Sequence, residues 1–218
     1  MGLTVSALRL LKGRPLGRVL SLSYPDIVAS QDELEAACGF RTQKETDFGR
    51  WHGRAHPLPD TEEVLTRMGA TSWRFVDIVA SRGVEEICDL NLPHDFGPHD
   101  TVIDPGTTEH CANIWQATVN AANAVAPGGV VMHIVPLTMT NHGFWCPQPT
   151  FYWDFYSQNG WEVEFIVASD GREVQALNPT ARIKLQPELM LYALARRRGN
   201  EPLKMPTQTK YLNNPGLK

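Results

Sequence analysis

Short runs of apolar residues, separated by polar stretches that contain Gly or Pro, predict the strands of a sheet. The predicted strands are residues 18–22, 73–79, 87–90, 101–104, 130–135 and 161–168. A further apolar stretch, residues 188–197, has a spacing that fits a helix as well as a strand. There are no internal repeats, so these runs are the framework of the predicted fold.

Helical periodicity is strongest after the strand at 101–104. Apolar positions within residues 112–125 recur at three- and four-residue spacing and predict a long helix. Thr107 or Thr108 is its expected cap, and the Pro-Gly-Gly of residues 127–129 is its expected end. Shorter helices are predicted at 32–38, 60–69 and 150–158. Strands and helices therefore alternate along most of the chain, which is typical of an α/β fold.

The stretch at 100–111, DTVIDPGTTEHC, predicts a strand, a tight turn and the start of a helix. Its Pro-Gly pair can continue neither element, so the strand is expected to end at Asp104. In open α/β sheets the ligand sits outside the carboxyl ends of the strands. The residues that fall at this position are Asp104, Gly106, Glu109 and His110. The plainer alternative is an ordinary capped turn between a strand and a helix.

Composition and charge narrow the class of protein. A chain of 218 residues fits one α/β domain, and a net charge of −4 gives no electrostatic footprint for nucleic acid or an anionic membrane. Basic residues interrupt the apolar amino terminus, so neither a signal peptide nor a membrane anchor is predicted. The four cysteines form no CxxC pair, which argues against a structural zinc site or a disulfide framework. We expect a cytoplasmic protein that acts on a small molecule, with no metal site and with neither nucleic acid nor membrane as partner.

Residues 111–153 contain no Asp, Glu, Lys or Arg. Asn, Gln, Thr, Pro and Gly interrupt this segment too often for a bilayer span. We therefore expect it to lie deep in the fold or to line a cavity.

Three motifs accompany this order of elements. They are Tyr-Pro-Asp at 24–26, Asp-Pro-Gly-Thr-Thr-Glu-His at 104–110 and Asn-His-Gly-Phe at 141–144. Over about residues 18–197 the chain resembles class I methyltransferases that use S-adenosyl-L-methionine (SAM), and the motifs resemble a subset of these proteins. The resemblance implies an α/β, Rossmann-like seven-stranded methyltransferase sheet with the last strand antiparallel, and residues 189–197 are accordingly interpreted as that strand. It also implies a single domain over 1–218, with a loop or lid insertion at about 31–71.

The resemblance further implies a SAM pocket. An acid at a strand end, here Asp77, can accept hydrogen bonds from both ribose hydroxyls. Asp89 and Leu90 would face the adenine, whereas Asp104 and Gly106 would border the methionine arm. The full predicted set is Ser23, Tyr24, Asp26, Asp77, Ile78, Asp89, Leu90, Asp104 and Gly106.

The first loop departs from the family pattern. Ser23, Tyr24, Pro25 and Asp26 stand where these enzymes usually have glycines that let backbone amides approach the cofactor. Asp26 would repel the methionine carboxylate but could pair with the ammonium group. The interval from the first loop to Asp77 is also far longer than the usual ~20 residues.

Methyl transfer requires that the acceptor be positioned and, where needed, deprotonated. His142 and His110 are the candidate bases, because imidazole titrates near neutral pH. Asn141, Trp145 and Tyr152 are expected to shape an acceptor pocket. The plainer alternative for His142 is a hydrogen-bonded loop histidine.

Three functions are consistent with these residues. The first is a small-molecule O- or N-methyltransferase acting on a sugar or a natural-product intermediate in biosynthesis. The second is other SAM chemistry on the same fold, such as cyclisation of SAM to azetidine-2-carboxylate with release of methylthioadenosine. The third is a SAM-binding scaffold without turnover. The sequence leaves the acceptor and the oligomeric state open.

Overall fold

The computed structural model of the chain describes residues 2–214 and residue 216. The strands, numbered in chain order, are β1 (Gly2–Thr4), β2 (Gly17–Ser21), β3 (Asp26–Val28), β4 (Glu45–Thr46), β5 (Leu58–Pro59), β6 (Ala70–Asp77), β7 (Glu86–Ile87), β8 (His99–Asp104), β9 (Val125–Pro136), β10 (Glu162–Ser169), β11 (Val174–Ala176) and β12 (Met190–Arg196). The helices are α1 (Val5–Leu11), α2 (Gln31–Cys38), α3 (Thr61–Arg67), α4 (Ile114–Asn123), α5 (Pro149–Gln158) and α6 (Thr209–Asn213). Two 3₁₀ turns span Asp47–His52 and Thr108–His110.

One eight-stranded sheet forms the centre of the molecule, in the order β11-β10-β12-β9-β8-β2-β6-β7. β7, β6, β2, β8 and β9 pair in parallel. β12 lies between β9 and β10 and runs antiparallel to both. The predicted α/β class with a large, mostly parallel sheet is confirmed. The sheet has one strand more than the expected seven, because β11 pairs with the outer edge of β10.

The sheet buries both faces. Leu20 and Val102 pack into an apolar cluster with residues of α4 and α5. Val19 and Ile103, the neighbours of these two residues in β2 and β8, pack into a second cluster with residues of α1, α2 and α3. This alternation follows from the two-residue period of a strand. The result is a three-layer arrangement with helices on both sides of the sheet.

The order of the parallel strands creates a switch point. β2 has β6 on one side and β8 on the other, so the connection from β2 to β6 and the connection from β7 back to β8 cross the sheet in opposite directions. A crevice forms at the carboxyl ends of two such strands, which is where open α/β sheets bind ligands. The residues that follow β2 and β8 are therefore brought together.

Two predicted boundaries were wrong around the long helix. α4 begins at Ile114, where the Asn113 side chain accepts the Gln116 amide at 3.2 Å. Thr107 and Thr108 do not cap it, because their amides donate to Asp104 Oδ1 at 3.0 and 3.2 Å and belong to the preceding turn. α4 also ends at Asn123, and residues 127–129 lie within β9 rather than closing the helix.

Other departures are smaller. The strand expected at 87–90 is only Glu86–Ile87. By contrast, residues 189–197 were interpreted as a strand, and β12 spans Met190–Arg196. The segment at 31–71 contains α2 and α3, whose apolar residues join the core, as well as the irregular part between them. β1 and α1 were not predicted, although Leu8 and Leu11 of α1 are fully buried. In the described part of the chain, no helix combines the length and apolarity needed to cross a membrane.

Candidate functional site

A cleft of about 310 Å³ opens beyond the carboxyl ends of β2, β6, β7 and β8. Its lining residues are Ser23, Asp77, Ile78, Cys88, Asp89, Leu90, Asn91, Gly106, Thr107, His110 and Cys111. The volume is within the ~300–1,000 Å³ range of small-molecule sites. Most of the predicted cofactor residues are in this cleft, namely Ser23, Asp77, Ile78, Asp89, Leu90 and Gly106.

The charge of the cleft is acidic. Among its described lining residues, Asp77 and Asp89 supply two carboxylates, and there is no Lys or Arg. Asp77 accepts one long hydrogen bond, from the Val79 amide at 3.3 Å. Asp89 closes a turn by accepting the backbone amide and the side-chain amide of Asn91, and these hydrogen bonds lower the pKa of Asp89. Such a lining favours a ligand that carries positive charge.

Ser23 occupies the first loop in an unusual backbone conformation. Its φ angle is 134°, in the region that favours glycine. Gly106, across the cleft, has a φ angle of 96°. The first loop therefore retains a backbone shape suited to glycine even though the residue is serine, and strain of this kind is concentrated at functional sites.

Asp26 and Tyr24 do not line the cleft. Asp26 is paired with Arg82, whose guanidinium donates through Nη2 and Nε, and with His52, whose Nε2 donates at 2.8 Å. Burial raises the pKa of Asp26, but the hydrogen bonds and charges of His52 and Arg82 outweigh it and hold the pKa below its usual value. Tyr24 packs edge-on against Phe75 at 4.8 Å. The carboxylate of Asp26 is thus engaged by the Arg82 guanidinium and the His52 imidazole.

Arg82 joins the first loop to the segment at 47–52. Its guanidinium lies 3.5 Å from the centre of the Phe48 ring and 5.1 Å from that of Trp51. The side chain is only 7% exposed. Phe48, Trp51 and His52 all belong to the 3₁₀ turn Asp47–His52, so this turn covers the buried ion pair.

Asp104 is also buried away from the cleft. Thr108 Oγ1 donates to it at 2.6 Å and His133 Nδ1 at 2.8 Å, while His133 Nε2 bonds to the Tyr156 hydroxyl at 2.6 Å. Burial raises the pKa of Asp104, but His133 and Thr108 outweigh it and lower the pKa overall. Asp104 therefore holds the turn that places Gly106 in the cleft. His133 was not predicted, because it lies within the apolar run of β9.

Glu109 is the centre of a second group of polar residues. Its side chain is fully buried, and neither carboxylate oxygen has a hydrogen-bond partner among the described residues. His110 Nε2 and His142 Nε2 each lie 3.8 Å from Glu109 Oε1. Burial, together with the charge of Asp104, raises the pKa of Glu109 to about 8. Burial also lowers the pKa of His110 and His142, which favours neutral imidazoles.

The loop after β9 closes over this group. The backbone amides of Phe144 and Trp145 donate to the Glu109 carbonyl at 2.9 and 3.3 Å. A methyl group on Gly143 would come within 2.9 Å of the same oxygen, so the loop fits against Glu109 only with glycine there. The motifs at 104–110 and 141–144 are thereby brought together, and His110 reaches the cleft as well.

The predicted acceptor-pocket residues do not form one surface. Tyr152 is fully buried and stacks on His133 at 4.6 Å, so its assignment to an acceptor pocket was wrong. Trp145 donates from Nε1 to the Cys111 carbonyl at 3.0 Å. Asn141 is exposed, has a φ angle of 61° and does not line the cleft.

Comparisons with known proteins add little to this description. No protein-family profile matches the chain, and no curated protein does. Solved structures do match, and one of them is described as "Conversion of a Disulfide Bond into a Thioacetal Group during Echinomycin Biosynthesis". It is 14% identical, the alignment covers 98% of this chain and 86% of that one, and the TM-score is 0.38. A likeness this loose is no evidence about function.

Proposed function

We propose that the chain is a SAM-dependent enzyme that transfers a methyl group to an oxygen or nitrogen atom of a small molecule. The acceptor classes with which the resemblance agrees are sugars and natural-product intermediates. The observation that carries the proposal is the cleft at the switch point, where Asp77 and Asp89 present carboxylates from the ends of neighbouring strands.

The residues of the cleft fit SAM in several respects. Asp77 has acceptor capacity left for the two ribose hydroxyls, since the hydrogen bond that its carboxylate accepts from the Val79 amide is long. Cys88, Leu90 and Cys111 provide an apolar wall for the adenine, and burial raises the pKa of Cys111 to about 12, so its thiol is neutral. Ser23 and Gly106 border the space left for the methionine arm. Bound SAM supplies a methyl group already activated by its sulfonium.

The acidic lining supports a ligand with a sulfonium and an ammonium group. Asp26 was the expected partner of the ammonium, but Arg82 and His52 engage it. We therefore assign the ammonium group to backbone carbonyls of the first loop. Weak rather than tight binding of the methionine arm is the consequence.

Deprotonation of the acceptor belongs to the group formed by Glu109, His110 and His142. His110 lines the cleft and also approaches Glu109, so it joins the two sites. A hydroxyl or amine of the acceptor bound beside His110 would be close to neutral imidazole nitrogens. Asn141 retains only an indirect role in this proposal, through the shape of the loop that carries His142.

Cyclisation of SAM is the second candidate, and a scaffold without turnover is the third. An uncharged pocket with aromatic faces would favour cyclisation, because it stabilises the sulfonium while disfavouring a second cation. Trp115, Trp145 and Tyr152 were the aromatic residues expected to supply such faces. None of them is among the described residues that line the cleft, so we place methyl transfer first.

One experiment tests all three functions. The purified protein is titrated with SAM and with its demethylated product by calorimetry, and is then incubated with SAM alone and with SAM plus a metabolite extract. Demethylated product that forms only with the extract is the expected result. Methylthioadenosine formed from SAM alone, at a rate set by enzyme concentration, would support cyclisation instead. Binding without any product supports the scaffold, and no binding of either ligand removes the proposal.

A further inference from the structure

The three residues around Glu109 form a group with the composition of a metal site. Glu109, His110 and His142 each offer one potential ligand atom, and these atoms all lie within 4.8 Å of one another. We propose that Glu109, His110 and His142 bind a divalent transition-metal ion. No cysteine takes part, so the lack of a CxxC pair in the sequence does not bear on this site.

The buried carboxylate is the first argument. Glu109 is fully buried, and both of its oxygens lack a hydrogen-bond partner among the described residues. Buried carboxyl groups, charged or neutral, are normally paired, hydrogen-bonded or bound to a metal, because a polar group without a partner loses its hydration without compensation. The two histidines do not supply hydrogen bonds, since both nitrogens lie 3.8 Å from Oε1 and a hydrogen bond ends near 3.2 Å.

Distance is the second argument. Ligand atoms about 2.1 Å from a metal ion in a tetrahedral site are about 3.4 Å apart. The two 3.8 Å separations exceed this spacing by about 0.4 Å, and the bound of 4.8 Å exceeds it by about 1.4 Å, which rotation of the imidazoles can provide. His110 is 50% exposed and His142 is 26% exposed, so both rings have room to turn, while Glu109 is held by its surroundings.

Backbone contacts hold the parts of the site together. His142 lies in the loop whose next residues donate two amide hydrogen bonds to the Glu109 carbonyl. His110 is the neighbour of Glu109 in the turn Thr108–His110. His142 therefore comes from a distant part of the sequence, and its position depends on the hydrogen bonds that its loop makes to the Glu109 backbone.

The donor set indicates the class of metal. Two imidazole nitrogens and one carboxylate suit Zn²⁺, Fe²⁺, Co²⁺ or Mn²⁺, whereas Mg²⁺ and Ca²⁺ prefer sites made of oxygen ligands. Three protein ligands also leave at least one position open for water or a substrate oxygen. Because His110 lines the cleft as well, a molecule in the open position would lie beside the cleft.

A metal ion would change the role of the two histidines. As ligands they no longer act as bases, and the charge of the ion would instead lower the pKa of an oxygen bound to it. This role of the metal ion in deprotonating the acceptor rests on the proposed function. It specifies an acceptor with a hydroxyl group whose oxygen can bind the metal.

The test uses cobalt as a spectroscopic probe. The full chain is treated with EDTA, dialysed and titrated with Co²⁺ while visible absorption and thermal unfolding are followed, and Zn²⁺ and Mg²⁺ are then added as competitors. We expect one equivalent of Co²⁺ to bind with a non-aqueous spectrum, to raise the unfolding temperature and to be displaced by Zn²⁺ but not by Mg²⁺. Glu109→Gln and His142→Ala should each weaken binding by about tenfold or more.

The control variant is His56→Ala, which removes a histidine outside this group and should bind Co²⁺ like the unaltered chain. Circular dichroism verifies that each variant is folded, and His110→Ala provides a second test at a half-exposed position if Glu109→Gln does not fold. Co²⁺ binding that is absent, or that is unchanged in folded Glu109 and His142 variants, overturns the inference. Calorimetry with SAM on the metal-free chain is independent of this result, so failure of the metal site and failure of the proposed function are distinguishable.

Discussion

The guanidinium of Arg82 binds the carboxylate of Asp26 through two nitrogens, and both side chains are more than nine-tenths buried. Removal of one partner of a buried pair leaves the other charge uncompensated, at a cost of about 3–5 kcal/mol. We therefore expect Asp26→Ala to lower the free energy of unfolding by about that amount. Urea unfolding at pH 7, monitored by fluorescence, measures the change.

The matched control for Asp26 is Asp32→Ala. Asp32 also pairs with an arginine, Arg41, but its side chain is 83% exposed. Exposed ion pairs contribute less than about 1 kcal/mol, so this variant should unfold near the midpoint of the unaltered chain. Equal losses of unfolding free energy in the two variants would contradict the conclusion that burial makes the Asp26–Arg82 pair important for stability.

The same ion pair predicts a pH dependence. The pKa of Asp26 is lower in the folded chain than in the unfolded one. Such a carboxyl stabilises the fold above its unfolded pKa of about 4, and the contribution disappears as the pH falls through the lowered folded value. The stability difference between the unaltered chain and Asp26→Asn should thus be largest near pH 6 and shrink below about pH 4. A difference that stays constant down to pH 2 in urea titrations would exclude a lowered pKa.

Asp77 provides the sharpest test of cofactor binding. Asp77→Ala should weaken SAM binding by about 1–3 kcal/mol, because the ribose hydroxyls lose a charged acceptor. Asp95→Asn is the control, since Asp95 lies in a nearby loop and is not a lining residue of the cleft. Calorimetry on both variants gives the comparison. Identical SAM affinity in the unaltered chain and Asp77→Ala would place the ribose elsewhere.

Ser23 offers a test of the strained first loop. A residue with side chain held at a φ angle of 134° costs about 1–3 kcal/mol, whereas glycine adopts this angle freely but adds about 0.5–1 kcal/mol of unfolded-state entropy. Ser23→Gly should therefore leave stability unchanged or raise it by up to about 2.5 kcal/mol. Ser157→Gly, in the last turn of α5, should instead lose stability in the same urea assay, because glycine is a poor helix former and the hydrogen bond from Ser157 Oγ to the Trp153 carbonyl is removed. A comparable loss at both positions would show that Ser23 is not strained.

Hydrogen exchange tests whether the segment at 47–52 acts as a lid. Ser23 lines the cleft, and Asp26, three residues later, is bound by His52 of this segment. SAM binding at the cleft should therefore slow amide exchange across Asp47–His52. The strand β11, at the opposite end of the sheet order, serves as the internal control and should not change. Unchanged amide exchange at 47–52 when the chain is saturated with SAM would show that this segment is a surface loop and not a lid.

Much of the sheet was predictable because most of its strands are short local runs of apolar residues. The run at 130–135 is buried on both faces of the sheet and could be recognised from composition alone. The stretch at 188–197 was ambiguous, since a strand buried on both faces is apolar at every position and has no two-residue alternation. The resemblance, rather than the local pattern, supplied the strand assignment there.

The start of α4 and the environment of Glu109 were not predictable in the same way. Thr107 and Thr108 have side chains that commonly cap helices. Their backbone amides, however, donate to the carboxylate of Asp104 and hold both residues in the turn before α4. Glu109 reads in the sequence as a polar residue in a turn. It is buried only because the loop that follows β9 covers it, and the sequence near residue 109 gives no indication of that contact.

The place of β12 in the sheet affects how the chain is made. β9 and β10 are synthesised before β12, yet each has β12 as a hydrogen-bonded neighbour. Until residue 196 has left the ribosome, β9 and β10 each present a long apolar edge with open hydrogen-bonding groups, and such edges recruit strands from other chains. Completion of the sheet is therefore a late event of biosynthesis, and the period between the emergence of residues 169 and 196 is when the nascent chain most needs protection from aggregation.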